Sequence, residues 1–373
     1  MLLINAVIPS EKEWQTGMCV RLENGAITEA GPALTARADE EVVDLAGDYL
    51  LPGFVDVHIH AFRGQDTMSG EAAVRAMSRE LYEEGVAAFL PTTMSATLAE
   101  TRSAVAGIRA VMDAPEARGA RVLGAHMEAP FLNPGKCGAQ RAECLCPPDW
   151  QAFLDMTGGD VSTVRTITVA PELPGAEDFI RQAVQNGIAV SLGHSAATAE
   201  QTHLAADWGA SRLTHTFNAQ SPLNHRAPGL PGAAMVDDRL YTELIADGVH
   251  LHGDIVRLIC RCKGSKAVAI TDAMEAAGMP DGEYALGGQP VTVRGNEARL
   301  QDGTLAGSVL LMRQALHNLI HLFGIAPLDA VRMCTRTPAE CIGEETLGRI
   351  VPGSPAPLTR WSKDWQYIGI IGG

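Results

Sequence analysis

The stretch P-G-F-V-D-V-H-I-H occupies residues 52–60 and joins a turn signal to an apolar run. Pro and Gly punctuate local structure, and the run that follows them is typical of a buried strand. Side chains on a strand alternate between its faces, so His58 and His60 point the same way. The two imidazoles could form half of a metal site, or they could be unrelated polar residues at a strand end. The rest of the chain has to decide between these interpretations.

Seven further strand-like runs follow, and segments with helical features separate them. The eight runs are 54–60, 86–93, 121–128, 163–172, 188–195, 212–218, 241–248 and 266–273. Eight strand–helix units in succession favour an α/β fold built on a (β/α)8 barrel of the TIM type. A doubly wound parallel sheet is the alternative, although it would not require eight strands.

The segments between the runs carry signals for helix starts. T-L-A-E at 97–100 is a capping box, in which the side chains of Thr97 and Glu100 satisfy free backbone N–H groups. Ser195 is expected to cap a helix that ends at Gly209. Both signals predict helices that connect neighbouring barrel strands.

The two ends of the chain have a sequence pattern that differs from that of the middle. Residues 1–52 contain short strand-like runs with turns such as Asn24-Gly25, and residues 349–373 are again strand-like. We therefore expect the two ends to form one small β-sandwich domain beside a barrel of residues 53–348. The segment 281–306 has no helical pattern and is predicted to be a β-hairpin inserted after the eighth strand.

Charge and cysteine content restrict the partners and the location. The chain has 373 residues and a net charge of −15, which argues against nucleic acid and against an anionic membrane surface. A small anionic ligand is still compatible with this charge, because a few local cations can hold it. The eight cysteines contain no C-x-x-C pair, and the first residues lack the features of a signal peptide. These features favour free thiols and a cytoplasmic location.

Potential metal ligands fall at the ends of the predicted strands. In barrels of this type the chemistry lies at the carboxyl ends of the strands. The side chains expected to converge there are His58, His60, Glu128, His194, His215 and Asp272, and His250 follows the seventh run. Imidazole and carboxylate ligands suit one or two divalent ions, such as zinc, iron, manganese or cobalt.

The remaining histidines are weaker candidates for the site. His126 lies one layer deeper on the face of Glu128, so a packed role is expected. His225 and His252 lie in loops near the predicted mouth, where substrate contact is an alternative to simple exposure.

Longer motifs resemble those of a known family. They are G-A-H-M-E-A-P-F-L-N-P (124–134), S-L-G-H-S (191–195), L-T-H-T-F-N-A (213–219), H-R-A-P-G-L-P-G-A (225–233), I-A-D-G-V-H (245–250), T-D-A-M-E-A-A-G-M-P-D-G-E-Y (271–284) and D-G-T-L-A-G-S (302–308). This set is similar to the N-acetylglucosamine-6-phosphate deacetylases of the amidohydrolase superfamily, over residues 2–353. The resemblance implies hydrolysis of an N-acetyl group from a 6-phosphorylated amino sugar.

The resemblance also implies a role for each matching residue. Glu128, His194 and His215 would hold the principal ion, and His58 and His60 a second one that Glu128 could bridge. The catalytic candidates are Asp272, as the acid and base, and His250, which would contact the sugar or the developing oxyanion. The substrate-binding candidates are His250, Asn218, Ala219, Gln140 and, for the phosphate, Arg226, which would come from the neighbouring subunit of a homodimer.

Five positions depart from the family pattern, and one of them, Pro357 in place of an aspartate in the C-terminal strand, is peripheral. Ala61 and Ala129 replace glycines, Gln140 replaces a histidine that orients the substrate carbonyl, and Gln220 replaces a methionine. These changes bear on the identity of the sugar more than on the type of reaction. The alternatives are a deacetylase for N-acetylgalactosamine 6-phosphate or another N-acyl substrate, and a non-enzymatic regulator that binds a sugar phosphate.

Overall fold

The computed structural model describes residues 1–372. The strands, in chain order, are β1 (Leu2–Pro9), β2 (Trp14–Glu23), β3 (Ala26–Gly31), β4 (Val42–Asp44), β5 (Tyr49–Pro52), β6 (Phe54–Ile59), β7 (Ala61–Phe62), β8 (Gln65–Asp66), β9 (Val86–Thr93), β10 (Arg121–Val122), β11 (Ala125–Met127), β12 (Val164–Val169), β13 (Ala189–Leu192), β14 (Arg212–Leu213), β15 (Tyr241–Ile245), β16 (Ala267–Ile270), β17 (Gly282–Leu286), β18 (Gln289–Arg294), β19 (Glu297–Leu300), β20 (Leu358–Trp361) and β21 (Tyr367–Ile371).

Residues 1–372 contain ten α-helices, and most of them pack against barrel strands. They are α1 (Glu71–Glu83), α2 (Leu98–Asp113), α3 (Trp150–Met156), α4 (Ala176–Gln185), α5 (Ala199–Trp208), α6 (Gly229–Val236), α7 (Gly253–Lys263), α8 (Met312–His321), α9 (Pro327–Cys334) and α10 (Arg336–Glu340). Short 3-10 helices occupy Thr67–Ser69, Pro134–Lys136, Ala142–Cys144, Val161–Thr163 and Gly264–Lys266. None of the helices within residues 1–372 is both long and apolar enough to cross a membrane.

The parallel strands follow one another around a barrel, as predicted. The sheet order is β6, β9, β10 with β11, then β12 to β16 in sequence, so the third position is a broken strand. The last strand returns to the first, since the Asp272 N–H donates to the carbonyl oxygen of His58 over 2.9 Å. Every residue of β6 and β9 is buried, in keeping with their mainly apolar sequences.

One of the two helix-start predictions is confirmed and the other is wrong. Thr97 and Glu100 form the expected capping box at the start of α2. Helix α5 begins three residues later than predicted, because Thr198 is its N-cap and pairs with Gln201 in a capping box. The hydroxyl of Ser195 instead donates to Glu172 over 2.7 Å.

Both ends of the chain meet in one sheet outside the barrel. Its order is β21, β20, β5, β1, β2, β3, with β4 also paired to β1. A second hydrophobic core lies on this sheet and draws residues from both of its halves, including Val20, Leu22, Leu50 and Leu358. Gly373, the last residue of the segment predicted for this sheet, lies outside the described residues.

The segment after the eighth barrel strand has one strand more than a hairpin. β17, β18 and β19 form an antiparallel meander. Its apolar side packs with Met94 and Met274, which follow two barrel strands. The insertion therefore covers part of the barrel mouth.

Candidate metal and catalytic site

Six side chains of the type that binds metals meet at the carboxyl ends of the barrel strands. His58 lies in β6 and His60 directly after it, and Glu128 directly follows β11. The other three each lie two residues beyond their strand: His194 after β13, His215 after β14 and Asp272 after β16. All six are buried.

These side chains form two groups that share one wall. The first group is His58, His60 and Asp272, and the second is Glu128, His194 and His215. Within each group the candidate ligand atoms lie within 4.8 Å of one another. Glu128 touches both groups: its Oε1 lies 3.0 Å from His215 Nε2 and 3.4 Å from His58 Nε2, and its Oε2 lies 3.3 Å from His60 Nε2.

The hydrogen bonds of the imidazole rings fit a bound cation. Nδ1 of His58 faces Glu243 at 3.1 Å, Nδ1 of His60 faces the Thr92 carbonyl at 3.2 Å, and Nδ1 of His194 faces the Lys136 carbonyl at 2.8 Å. Because these oxygens only accept, Nδ1 carries a hydrogen in each ring, and in the neutral, metal-binding form the lone pair is on Nε2.

The Nε2 atoms then face one another in pairs. They lie 3.3 Å apart between His58 and His60, and 3.0 Å apart between His194 and His215. In the His58–His60 pair two lone pairs face each other at this distance, and they repel unless a cation lies between them; Nδ1 of His215 has no hydrogen-bond partner within the described residues, so this argument covers only the first pair. Two nitrogens on one tetrahedral zinc ion would be separated by about 3.3 Å. The residues present therefore fit a divalent metal.

The electrostatics point the same way. Burial lowers the pKa of His60, but the carboxylates of Asp272 and Glu128 outweigh this effect and raise it to about 10. Burial raises the pKa of Glu128, yet the surrounding histidines hold it well below its usual range. The two buried carboxylates, Asp272 and Glu128, thus favour a positive charge beside them, which either a metal ion or a proton on a histidine can supply.

Three candidate ligands have an unusual backbone. The φ angles are +46° at His194, +28° at His215 and +49° at Asp272. Residues other than glycine rarely adopt this left-handed region, and such strain is concentrated at functional sites. The hydrogen bond from the Asp272 N–H to His58 is one of the contacts that hold it.

A cavity of about 480 Å³ opens over the two groups. Its lining includes the predicted substrate-binding residues Asn218, Ala219, His250 and Gln140. Leu286 and Leu305 of the insertion and the segment after it complete the wall. The cavity is large enough for a small polar ligand.

The amide of Gln140 is engaged by the protein itself. Its Nε2 donates to Glu128 Oε2 over 2.6 Å, and its Oε1 accepts the Ser95 N–H over 2.6 Å. The sequence-based interpretation had this side chain orienting a substrate carbonyl. The structure gives it a contact with the carboxylate that touches both metal groups.

Several sequence candidates lie away from the cavity. Arg226 is exposed, and neither it nor His225 or His252 lines the cavity of its own chain within the described residues. His252 instead caps helix α7. Ala61 and Ala129 are buried but are not part of the lining, so their extra methyl groups do not narrow it.

Sequence reasoning missed three residues at the site. Asp247 accepts the Nδ1 hydrogen of His250 over 2.6 Å, and its position three residues before His250 was the available signal. Glu243 contacts His58 from the middle of β15, and a carboxylate inside a buried strand was its signal. Lys136 lines the cavity from the short 3-10 helix Pro134–Lys136 that follows β11, and nothing in its local sequence distinguishes it.

Sequence comparison places these features in a known group. The model of the amidohydrolase family matches residues 49–370. The chain is 36% identical over 353 residues to the N-acetylgalactosamine-6-phosphate deacetylase of Escherichia coli O157:H7, which covers 94% of this chain and 92% of the relative. It is also 36% identical over 377 residues to the N-acetylglucosamine-6-phosphate deacetylase of Bacillus subtilis strain 168, covering 99% and 94%.

Solved structures agree with the sequence matches. The crystal structure of N-acetylglucosamine-6-phosphate deacetylase from Pasteurella multocida has a TM-score of 0.91 at 31% identity and covers 100% of this chain and 97% of that one. A mutant of the Mycobacterium smegmatis enzyme, in complex with N-acetyl-D-glucosamine-6-phosphate, also has a TM-score of 0.91, at 28% identity and with the same coverage. With the barrel, the two ligand groups and these matches, the chain belongs to the amidohydrolase family.

Proposed function

We propose that this protein hydrolyses the N-acetyl group of N-acetylglucosamine 6-phosphate to give glucosamine 6-phosphate and acetate. The observation that supports the proposal is the two candidate metal-binding groups at one cavity, with Glu128 of the second group also contacting His58 and His60 of the first. The substrate class comes from the relatives, which are named deacetylases of 6-phosphorylated amino sugars and match nearly the full chain.

Two sets of residues would hold the metal. We assign Glu128, His194 and His215 to the principal ion, and His58, His60 and Asp272 to a second ion, with Glu128 facing both. Zinc, iron, manganese and cobalt all suit these ligands. A bound divalent ion lowers the pKa of a water molecule toward about 7 and polarises an amide carbonyl.

Asp272 supplies the proton transfers in this proposal. It lines the cavity, and its Oδ1 lies 3.2 Å from His60 Nε2. A carboxylate there can take the proton of the attacking water and return it to the sugar nitrogen. That nitrogen leaves readily only when protonated, so the same group serves as base and then acid.

His250 is the candidate for orienting the sugar or stabilising the oxyanion. Asp247 accepts its Nδ1 hydrogen and its backbone N–H, at 2.6 Å and 2.9 Å. This pair of contacts fixes the ring, and Nε2 is left for the ligand. Asn218 and Ala219 line the cavity beside it and are the candidates for the remaining sugar contacts.

Two cations are candidates for the phosphate. Lys136 is the only lysine or arginine that lines the cavity within residues 1–372. Arg226 is exposed on the loop before α6, so in this proposal it reaches the phosphate of the substrate that is bound by the partner subunit of a homodimer.

A cytoplasmic location remains a prediction, and it is supported by eight cysteines that are all unbridged.

The experiment is acetate release from N-acetylglucosamine 6-phosphate by metal-replete protein. N-Acetylgalactosamine 6-phosphate and unphosphorylated N-acetylglucosamine are measured in parallel. We expect turnover of the glucosamine phosphate to exceed that of the unphosphorylated sugar by orders of magnitude, since remote binding energy contributes to the rate. Turnover of neither phosphosugar by protein with bound metal would contradict the proposal.

The galactosamine epimer is the second candidate. One of the matched relatives carries this activity in its name, at the same identity as the glucosamine enzyme. The two substrates differ only in the configuration of one hydroxyl, so a comparison of kcat/KM for the two phosphosugars decides between them. A regulator that only binds sugar phosphate is less well supported, because binding alone does not need Asp272.

A further inference from the structure

One buried carboxylate next to the metal groups belongs to neither of them. Glu243 lies in β15 and is 1% exposed. Its Oε2 is 3.1 Å from Nδ1 of His58 and also accepts the His215 N–H over 3.1 Å. One oxygen of Glu243 therefore touches a candidate ligand from each group.

Arg212 holds the other oxygen of this carboxylate. Arg212 is fully buried in β14; its Nη2 donates to Glu243 Oε1, and its Nη1 donates to Thr166 over 2.8 Å. A buried ion pair costs desolvation, and removing only one partner leaves an uncompensated charge. A pair in this place is therefore expected to have a role that an apolar pair could not fulfil.

The hydrogen bond to Glu243 fixes which nitrogen of His58 is free to bind a metal ion. With its hydrogen donated to Glu243, Nδ1 of His58 cannot bind metal, and the lone pair on Nε2 faces Glu128 and Asp272 at 3.4 Å each. A carboxylate on the far nitrogen of a metal-binding imidazole fixes the ring orientation and raises its basicity. The other histidine of this group has weaker support, since Nδ1 of His60 is held only by a neutral carbonyl.

We propose that Glu243, held by Arg212, is a positioning residue that sets the metal affinity of the group formed by His58, His60 and Asp272. It thereby decides whether the site holds one ion or two. The inference rests on the proposed metal-dependent function, but its test measures metal binding and not deacetylation.

The test is a titration of metal-free protein with Zn²⁺ against a chromogenic chelator, with metal content determined after dialysis. We expect two binding constants for the wild type. In Glu243→Gln we expect the affinity of the group formed by His58, His60 and Asp272, the weaker of the two, to fall about ten- to a hundredfold, as for other residues that support metal ligands. The tighter binding by Glu128, His194 and His215 should change much less.

Two further variants keep the result interpretable. Arg212→Met combined with Glu243→Gln leaves no unpaired buried charge, so it supplies the measurement if the single variant does not fold. Glu40→Gln disturbs a buried Arg–Glu pair in the terminal sheet, where Arg21 Nε lies 2.8 Å from Glu40, and should keep both zinc constants.

Each outcome has a defined meaning. The inference is overturned if the folded Glu243 variants bind two Zn²⁺ ions with wild-type constants, or if Glu40→Gln weakens binding equally. Wild-type protein that binds a single ion would also overturn it while leaving the deacetylase proposal intact. Wild-type protein that binds no metal and still releases acetate would contradict the metal assignment in the proposed function itself.

Discussion

At the scale of single residues, the partner of one ring nitrogen decides what a histidine can bind. His60 and His194 donate from Nδ1 to backbone carbonyls, and their Nε2 atoms are left for a cation. The positions of these histidines were predictable, since each falls at the end of a recognisable strand. Their hydrogen-bond partners were not, because Thr92 and Lys136 lie far away in sequence and only the folded barrel brings them near.

Glu243 illustrates the same limit more sharply. It lies 185 positions from His58 in the chain, and the hydrogen bond between them exists only because the barrel closes. The run Y-T-E-L-I-A-D-G predicted a strand, which is correct, but strand alternation alone does not say which distant side chain a residue meets. Ligand types can thus be anticipated from strand ends, whereas their supporting contacts require the fold.

Substitution of Asp272 tests the proposed proton transfer. Asp272→Asn removes the general base and is expected to lower kcat by about 10²- to 10⁴-fold. The change in KM should be small, because the side chain acts on the reacting atoms. Initial rates of acetate release check this, together with metal content to verify that the principal ion is still bound. Asp254→Asn, an exposed carboxylate at the start of α7, should have wild-type rates.

At the scale of elements, eight strands and the helices between them could be read from apolar runs and capping residues. The boundaries were less accurate. Ser195 looks like a helix cap because it follows a strand and precedes a helical pattern, but its hydroxyl is taken by Glu172. The competing capping box at Thr198 determines where α5 begins. A side chain that is distant in sequence, Glu172, thus binds the hydroxyl that the local sequence assigned to a helix cap.

The cap of α5 gives a prediction at this scale. Thr198 accepts the Gln201 N–H, so Thr198→Ala should lower the free energy of unfolding by about 1 kcal/mol. Thr198→Ser keeps the hydroxyl and should restore most of the loss. Urea denaturation followed by circular dichroism measures both. Equal stability of the alanine variant and the wild type would mean that the cap contributes nothing.

At the scale of the whole molecule, the terminal sheet determines part of the response to acid. The hydrogen bond from Arg21 lowers the pKa of Glu40 to about 2. In the unfolded chain this carboxyl has an ordinary pKa of about 4.3. A depressed folded pKa stabilises the protein above the unfolded value, and that contribution is lost as the pH falls from about 4.3 toward 2.

The corresponding prediction compares Glu40→Gln with the wild type. At neutral pH the variant should have the lower unfolding temperature, and the difference should shrink as the pH falls from about 5 to about 3. Differential scanning calorimetry at several pH values measures this. Glu143→Gln changes an exposed carboxylate outside the ion pairs of residues 1–372, so it should follow the wild type. A constant gap between Glu40→Gln and the wild type would contradict the assignment.

The proposed dimer gives a second prediction for the whole molecule. Arg226→Ala and Asp272→Asn are each expected to be nearly inactive at low substrate concentration. If Arg226 serves the partner subunit, a mixed dimer contains one site with both residues intact. Mixing the two variants under conditions of subunit exchange should therefore restore activity. No recovery in a verified mixed dimer would mean that Arg226 acts within its own chain or not at all.

The pairing of β20 with β5 has a consequence for biosynthesis. Leu358 pairs with Pro52, so a strand synthesised after the barrel completes a sheet begun before it. A growing chain emerges with its N-terminal part first. The edge of β5 that pairs with β20 therefore stays unpaired until the whole barrel has been synthesised. A ribosome stalled before β20 would hold a chain with an open strand edge, the kind of surface on which chaperones and aggregation compete.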